Sequence, residues 1–242
     1  VKRLLDILLS SIGLLCLSPL LLPVMFLIWA QDRHSPFYIA PRTGKDERPF
    51  RMVKLRSMLI NADKSGVDST AANDRRITPV GAFVRRYKLD EIMQLWNVLI
   101  GDMSLVGPRP NVERETRMYT ALEKRLLSVR PGITDFASIV FADEGEILQG
   151  RADPDLSYNQ LIRPWKSRLG LFYVDNMGVA LDLRLISLTM KAILSRDTTL
   201  CAVSRLLESM GAEADMVRIA RREAELVPAP PPGADEVVSQ RY

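Results

Sequence analysis

The sequence predicts a mostly α-helical, membrane-associated protein with a small β element. Three observations predict it. From Ile7 to Ala30 the chain carries no charged residue. Beyond about residue 80, apolar residues recur at helical spacing, as in Leu89, Ile92, Trp96 and Leu99. Between residues 36 and 58, Pro36, Pro41, Gly44 and Pro49 divide the chain into short extended pieces, a pattern that suits a hairpin better than a helix.

The uncharged run comes first. As a straight helix it would reach about 36 Å, enough to cross a hydrocarbon core about 30 Å thick. Its length, and the Ile28-Trp29-Ala30-Gln31 sequence at its end, speak against a cleaved signal peptide. Ser18-Pro19 sits at mid-run and Pro23 follows one turn later. Each proline removes a backbone donor and crowds the carbonyl four residues back. Ser18 is one group that could satisfy a freed carbonyl at membrane depth. Both flanks are basic, with Lys2 and Arg3 before the run and Arg33, Arg42, Lys45, Arg48 and Arg51 after it. The positive-inside tendency therefore favours the cytoplasm for both ends. Residue spacing leaves two readings open: a helix that enters, bends at Ser18-Pro19 and returns, or a kinked spanning helix.

The remaining elements follow in order. Residues 36–58 read as a small hairpin, with Phe37-Tyr38-Ile39 and Phe50-Arg51-Met52-Val53 as its extended pieces. Residues 61–79 are polar and contain Ser65-Gly66, Asn73-Asp74 and Thr78-Pro79, so a surface loop is expected. Residues 81–100 read as one helix ended by Gly101-Asp102, and residues 104–110 as a turn-rich link. Asn111 is the expected cap of a helix running to about Ser128. Further helices are expected at 156–169 and 179–195, the latter with a wide apolar face suited to a membrane surface. From about Val203 the pattern weakens to a short charged helix, and the proline-rich stretch from Val227 reads as disordered.

Composition narrows the chemistry. A chain of 242 residues, 47% hydrophobic and 26% charged, can bury one ordinary core. A net charge of +4 is only mildly basic. The two cysteines, Cys16 and Cys201, have no metal-like spacing, and the one histidine is His34. A zinc site or a Ser-His-Asp triad is hard to build from this set. Chemistry therefore falls to carboxylates, Lys and Arg.

The most informative stretch is Arg85-Arg86-Tyr87-Lys88-Leu89-Asp90-Glu91. Two adjacent carboxylates near a helix start follow three cations, which should lower their pKa values. Such an Asp would stay ionised, as a nucleophile or a Mg²⁺ ligand requires. Taken alone, the stretch is equally explained as an acidic first helical turn. A second basic cluster holds Arg42, Lys45, Arg48, Arg51, Lys54 and Arg56 against Asp46 and Glu47, with Gly44 allowing close backbone approach to a ligand. It suits a diphosphate, anionic lipid heads, or plain solvation beside a membrane. Arg109, between Pro108 and Pro110, and Arg130, before Pro131-Gly132, are further phosphate candidates. No aromatic stacking ladder accompanies these cations, so nucleic acid is not expected as a partner.

Taken together, these stretches resemble the bacterial sugar transferase family, the monotopic phosphoglycosyl transferases. The resemblance runs from about Lys2 to Arg196. It rests on Lys2-Arg3-x-x-Asp6 before the helix with Ser18-Pro19, on Arg42-x-Gly44-Lys45, and on Lys54-Leu55-Arg56-Ser57-Met58. It continues through Leu89-Asp90-Glu91-x-x-Gln94-Leu95-Trp96-Asn97-Val98 and the run from Gly101 to Pro110. Arg130-Pro131-Gly132-Ile133-Thr134 and Leu181-Asp182-Leu183 complete it. Each piece is weak alone; their order and spacing are specific.

The resemblance implies a Mg²⁺-dependent enzyme on the cytoplasmic face of the bacterial inner membrane. Such enzymes pass a sugar-1-phosphate from a UDP-sugar to polyprenyl (undecaprenyl) phosphate, the first membrane step of surface-glycan assembly. It implies that Asp90 attacks the β-phosphorus, that UMP leaves, and that the lipid phosphate attacks the resulting phosphosugar-aspartate. Glu91 would assist through the metal or the acceptor proton, with Asp90 and Glu91 as the Mg²⁺ ligands. Lys54, Arg85, Arg109 and Arg130 would neutralise phosphate charge, and Asp182 would lie near the site. The resemblance favours the re-entrant helix over the kinked span. The expected organisation is a re-entrant membrane helix at 1–34, a cytosolic catalytic domain with interfacial helices at 35–200, and a partly disordered extension at 201–242. A membrane-associated homodimer is compatible with it.

There are departures. Lys88 stands where the family often has Ser or Thr, so the usual side-chain cap is missing. The multi-helix N-terminal domain of some larger members has no counterpart, which makes this a small, minimal form. The sugar is not named by the sequence; residues 135–155, including Phe141, Asp143, Glu144 and Glu146, are the candidates for lining its pocket. One alternative is a non-enzymatic, membrane-anchored module binding anionic lipid or nucleic acid through residues 42–88, which leaves Asp90-Glu91 and the Gly101–Pro110 run unexplained. A metal-dependent phosphodiesterase lacks the His or repeated Asp that its metal cluster needs.

Overall fold

The computed structural model describes residues 1–62 and 74–240. Ser65, Gly66 and Asn73 of the expected polar loop lie outside the described residues. The first element, α1 (Lys2–Asp32), is a 31-residue helix containing Pro19 and Pro23, about 46 Å long at 1.5 Å per residue. Pro19 cannot donate to the Leu15 carbonyl. The Ser18 hydroxyl donates to that same oxygen at 2.8 Å, so the predicted satisfying group is the one used. The expected break at Ser18-Pro19 does not interrupt the helical backbone. α1 is the one described helix long and apolar enough to cross a membrane.

Most of α1 is uncovered. It buries Asp6, Ser10, Leu21, Val24 and Ile28 and leaves Leu4, Leu8, Leu15, Leu22 and Phe26 exposed. Both of its ends are bonded to the same globular body. At the N-terminal end, Lys2 Nζ donates to Asp182 at 2.6 Å, the Tyr173 hydroxyl at 3.1 Å and the Val106 carbonyl at 3.0 Å. Arg3 donates to the Val98 and Leu99 carbonyls, and Asp6 accepts from Ser104 Oγ and Leu105 N. At the C-terminal end Asp32 takes a two-pronged contact from Arg56 at 2.5 and 2.7 Å. There Leu21, Val24 and Ile28 pack with Leu55, Val84 and Leu89.

The expected hairpin is β1 (Phe37–Thr43) paired antiparallel with β2 (Pro49–Leu55), with Ala40 opposite Met52. The expected single helix over 81–100 is three pieces: α2 (Pro79–Arg86), α3 (Leu89–Ile92) and α4 (Gln94–Ile100). Lys88 adopts a left-handed backbone, φ 55°, which no helix interior accommodates. The helical spacing of Leu89, Ile92, Trp96 and Leu99 survives because Met93 keeps a right-handed helical backbone between the last two pieces.

A second, two-stranded parallel sheet was not expected. It pairs β3 (Ser104–Val106), inside the stretch read as turn-rich, with β4 (Gly132–Thr134). Two glycines permit it. A Cβ on Gly132 would overlap the Gly107 backbone, lying 2.6 Å from its Cα, and one on Gly107 would lie 2.5 Å from the Arg130 carbonyl. The helix expected from Asn111 to Ser128 is also corrected. It is a single turn, α5 (Glu113–Thr116), followed by a 3-10 segment at Glu123–Ser128. Thr120 restarts the chain there. Its hydroxyl accepts from Glu123 N while Glu123 Oε2 accepts from Thr120 N, each at 3.0 Å, a reciprocal cap. Asn111 donates instead to the Tyr119 hydroxyl.

The main core lies under α6 (Phe136–Val140), α7 (Glu144–Ile147), α8 (Pro154–Ser157), a π-turn at Tyr158–Ile162, α9 (Arg163–Asn176) and α10 (Val179–Leu194). Phe136, Ile162, Leu169, Tyr173 and Leu185 are fully buried in it. Glu123 and Arg163 form a buried pair at 2.6 Å, completed by the Ser167 hydroxyl. α10 exposes Leu183, Met190, Ile193 and Leu194 on its outer face.

The C-terminal extension does not stand apart. In α11 (Arg196–Ser209) and α12 (Ala214–Arg221), Leu200, Val203, Leu207, Met216 and Ile219 belong to the main core. The proline-rich tail, expected to be disordered, is bonded along the domain. Ala229 N donates to the Gln160 carbonyl, Gln160 Nε2 to Val238 O and Thr120 Oγ1 to Pro232 O. Two buried prolines, Pro231 and Pro232, account for the docking; composition alone suggests solvation.

Candidate active site

The site is assembled from three stretches far apart in sequence. β2 delivers Lys54 near its end. The left-handed Lys88 turns the chain so that α3 starts at Leu89 and carries Asp90 and Glu91. The turn after β3 delivers Arg109, with flanking prolines restricting its backbone. Arg109 grips Glu91 with both arms of its guanidinium: Nη1 donates to Oε2 at 3.1 Å and Nη2 to Oε1. Nη1 also reaches the Ile133 carbonyl of β4 at 3.4 Å. Lys54 Nζ lies 3.6 Å from Glu91 Oε1. The side chains of Lys54, Glu91 and Arg109 are each between a fifth and a third exposed.

Two neighbouring carboxylates thus meet different fates. Burial opposes ionisation of Glu91, but the charges of Arg109 and Lys54 outweigh it and hold its carboxyl well below the usual range. Asp90 is buried, and Oδ1 has no hydrogen-bond partner. No ion pair to Asp90 occurs among the described residues. Burial, then the adjacent Glu91 charge, raises its pKa against the opposing pull of Lys54, Arg85 and Arg109. This corrects the expectation that nearby cations lower it. A helix-terminus contribution does not rescue that expectation, because α3 is a single turn. Burial also lowers the Lys54 pKa, partly opposed by Glu91.

The structure therefore brings Lys54, Asp90, Glu91 and Arg109 together, with Arg85 close enough to act on Asp90. Two candidates make their contacts elsewhere. Arg130 is exposed and donates to the Gly101 carbonyl at 2.9 Å. Asp182 binds Lys2 and the Tyr173 hydroxyl, tying α10 to the start of α1. The basic cluster at 42–56 is dispersed: Lys54 serves the site, Arg56 holds Asp32, and Arg48 and Arg51 face outward. Gly44 lines a shallow hollow beside Arg109, with Thr43, Pro108, Tyr119 and Leu126.

Sequence reasoning gave Asn97 and Gln94 no role. Asn97 fastens α4 to β2: its Oδ1 accepts from Val53 N and its Nδ2 donates to Arg51 O, both at 2.8 Å. Its signal was a buried-face amide at helical spacing from Asp90, visible only once the face is known. Among the described residues no group of three His, Cys, Asp or Glu side chains forms a ready cation cage.

The chain matches the bacterial sugar transferase family over residues 1–196. It belongs to this family. It is 35% identical over 195 residues to the UDP-glucose:undecaprenyl-phosphate glucose-1-phosphate transferase of Klebsiella pneumoniae, covering 78% of this chain and 39% of that one. It is 31% identical over 204 residues to the UDP-N-acetylgalactosamine-undecaprenyl-phosphate N-acetylgalactosaminephosphotransferase of Aeromonas hydrophila, covering 81% and 44%. To the exopolysaccharide production protein ExoY of Sinorhizobium fredii it is 34% identical over 207 residues, covering 79% and 84%. The chain thus spans about two fifths of the first two of these bacterial sugar transferases and most of the third.

Proposed function

We propose that this bacterial sugar transferase moves a sugar-1-phosphate from a UDP-sugar to polyprenyl phosphate through a covalent intermediate on Asp90. One observation carries the reading. Of the two adjacent carboxylates, Glu91 has both oxygens claimed by cations, while Asp90 lies in the field of the same cations without an ion pair to them among the described residues. A committed partner and a free carboxylate are the division of labour that nucleophilic phosphoryl transfer needs. In the first step an Asp90 oxygen bonds to the β-phosphorus. The bond from that phosphorus to the bridging oxygen breaks, and UMP departs with the electron pair. In the second step a phosphate oxygen of the lipid bonds to phosphorus and the Asp90 carboxylate is released. Lys54, Arg85 and Arg109 stabilise the charge on the phosphoryl oxygens in both steps. Arg130 is proposed to meet the outer phosphate, and Asp182 to act from behind by fixing α1 against α10.

A Mg²⁺ ion fits as a partner of the diphosphate, since Mg²⁺ is commonly held by one or two carboxylates together with substrate phosphates. The outward Asp90 oxygen would suit it, and Glu91 would contribute only if its pairing with Arg109 loosened. When bound, the ion would neutralise part of the diphosphate charge.

The two-ended attachment of α1 supports a seat in one leaflet of the cytoplasmic membrane. A spanning helix would put its ends on opposite faces of a core about 30 Å thick; here Lys2 and Asp32 hold the same domain. The exposed apolar faces of α1 and α10 then enter lipid, and the catalytic side chains stay at the cytoplasmic surface. Val1→Cys and His34→Cys, in a chain with Cys16 and Cys201 replaced by Ser, should resist a periplasmic thiol reagent equally; reaction at only one end refutes re-entry.

The activity test uses membranes containing the chain, undecaprenyl phosphate, Mg²⁺ and labelled UDP-glucose, UDP-galactose and their N-acetylhexosamine counterparts. UMP and a sugar-diphospho-lipid are expected. Asp90→Asn should abolish both while still entering membranes. Turnover with none of the donors refutes the reading, and full activity in Asp90→Asn refutes the nucleophile.

A further inference from the structure

Gln94 is one of the largest fully buried side chains in the protein, with no exposed surface. Neither Nε2 nor Oε1 of its amide has a hydrogen-bond partner. Burying both ends of an amide unpaired is costly, and native proteins rarely leave such a group without a purpose. Asn97, less than a turn further on, is the contrast. Its amide is fully used, accepting from Val53 N and donating to Arg51 O. Gln94 therefore does not serve as a backbone fastener of that kind.

Its location supplies a purpose. Gln94 follows Asp90 by four residues, and the intervening Met93 keeps a right-handed helical backbone, φ −65° and ψ −14°. That spacing puts the two side chains on one face, with Cβ atoms about 5–6 Å apart. Asp90 Oδ1 is itself buried and unpartnered. One acceptor without a donor and one donor without an acceptor thus sit a helical turn apart, behind the one carboxylate the cations leave free.

We propose that Gln94 is a positioning residue for the Asp90 nucleophile, its Nε2 closing onto the inward Oδ1 when the donor binds, so that the other carboxylate oxygen faces phosphorus. This rests on the reading of Asp90 as nucleophile. Once made, the bond persists through the reaction. When the outward oxygen has bonded to phosphorus and UMP has left with the electron pair, Oδ1 is the carbonyl oxygen of an acyl phosphate. The same N–H still donates to it, holding the phosphorus toward the incoming lipid phosphate. Gln94 has no exposed surface, so it acts only through Asp90 and contributes nothing to donor binding.

The test is Gln94→Met, which has similar volume and no amide. It is made in the full chain in lipid nanodiscs and assayed with undecaprenyl phosphate, Mg²⁺ and the UDP-sugar that the wild type turns over. We expect kcat to fall at least tenfold, KM for the UDP-sugar to stay within twofold, and Tm to be unchanged or higher, because two unpaired polar atoms are removed from the core. A kcat loss under tenfold overturns the proposal, as does a loss of kcat accompanied by a lower Tm or a shifted KM. Asp90→Asn separates this from the underlying reading. If Asp90→Asn is inactive and Gln94→Met is normal, only the positioning role fails. If Asp90→Asn is active, or the wild type turns over no UDP-sugar, both fail.

Discussion

Gly132→Ala tests the link between the parallel strand pair and the site. An added Cβ would overlap the backbone nitrogen and oxygen of Gly107 and lie 2.6 Å from its Cα. These are backbone atoms, so no side chain can swing aside; the strands must part by about 1 Å to restore van der Waals contact. Beside the ladder itself, backbone bonds at that seam run from Gly132 N to Pro108 O at 2.9 Å, Gly107 N to Thr134 O at 3.0 Å and Ser104 N to Pro131 O at 2.9 Å. At about 1 kcal/mol each, their loss costs about 3 kcal/mol. For a chain of this size that is a fall in Tm of about 6–12 °C. The same seam fixes Pro108 and therefore Arg109. A displacement of about 1 Å in a positioning group costs about 100-fold in rate. Differential scanning fluorimetry in detergent reads the first effect, and UMP release at saturating donor reads the second. A variant with Tm within 2 °C of wild type and unchanged turnover would refute the claim that this contact holds the site together.

Three further outcomes are expected. The pH profile of turnover should have an acid limb above the ordinary carboxylate range. As the proposed nucleophile Asp90 must be ionised to attack, burial and Glu91 raise its pKa, and falling pH protonates it first while Glu91 stays charged; a limb below pH 4 contradicts this. Arg109→Lys replaces a two-armed grip on Glu91 with a single point of charge. It should lower kcat/KM about 10- to 100-fold with Tm nearly unchanged, and retained activity would show that the fork is dispensable. Lys2→Met strands the buried Asp182 with only the Tyr173 hydroxyl as partner. Because Lys2 is itself partly exposed, a cost of about 2 kcal/mol is expected rather than the larger penalty of a fully buried pair, seen as a lower Tm that Lys2→Arg largely restores.

What the sequence conveyed depended on how local the cause was. The apolar run, the hairpin and the acidic pair on a helical turn could each be read from neighbours along the chain. The role of Ser18 was readable too, because the carbonyl that Pro19 orphans lies three residues from the serine. The break after Tyr87 was not. A left-handed Lys88 is a choice made by packing α2 and α3 on α1, and helical spacing on either side concealed it. The β3–β4 pair was equally hidden, since it joins two three-residue strands through a glycine contact between positions 107 and 132. For the site, charge pattern marked Asp90, Glu91 and Arg109 and the resemblance singled out Lys54, but neither could tell which carboxylate Arg109 grips and which is buried without an ion pair. It also took all cations as lowering the Asp90 pKa, when desolvation dominates. The docked tail was misread because proline content says nothing about whether Pro231 and Pro232 find a surface.

The bond from Lys2 to Asp182 also sets an order of events in the cell. The bond joins positions 180 apart along the chain. Until α10 has been made, the N-terminal end of α1 has no Asp182 to hold. Final seating of that end of the helix therefore comes late in folding, completed only when most of the domain has been synthesised. A chain interrupted before α10 would lack the clasp that sets the angle of α1 against the domain.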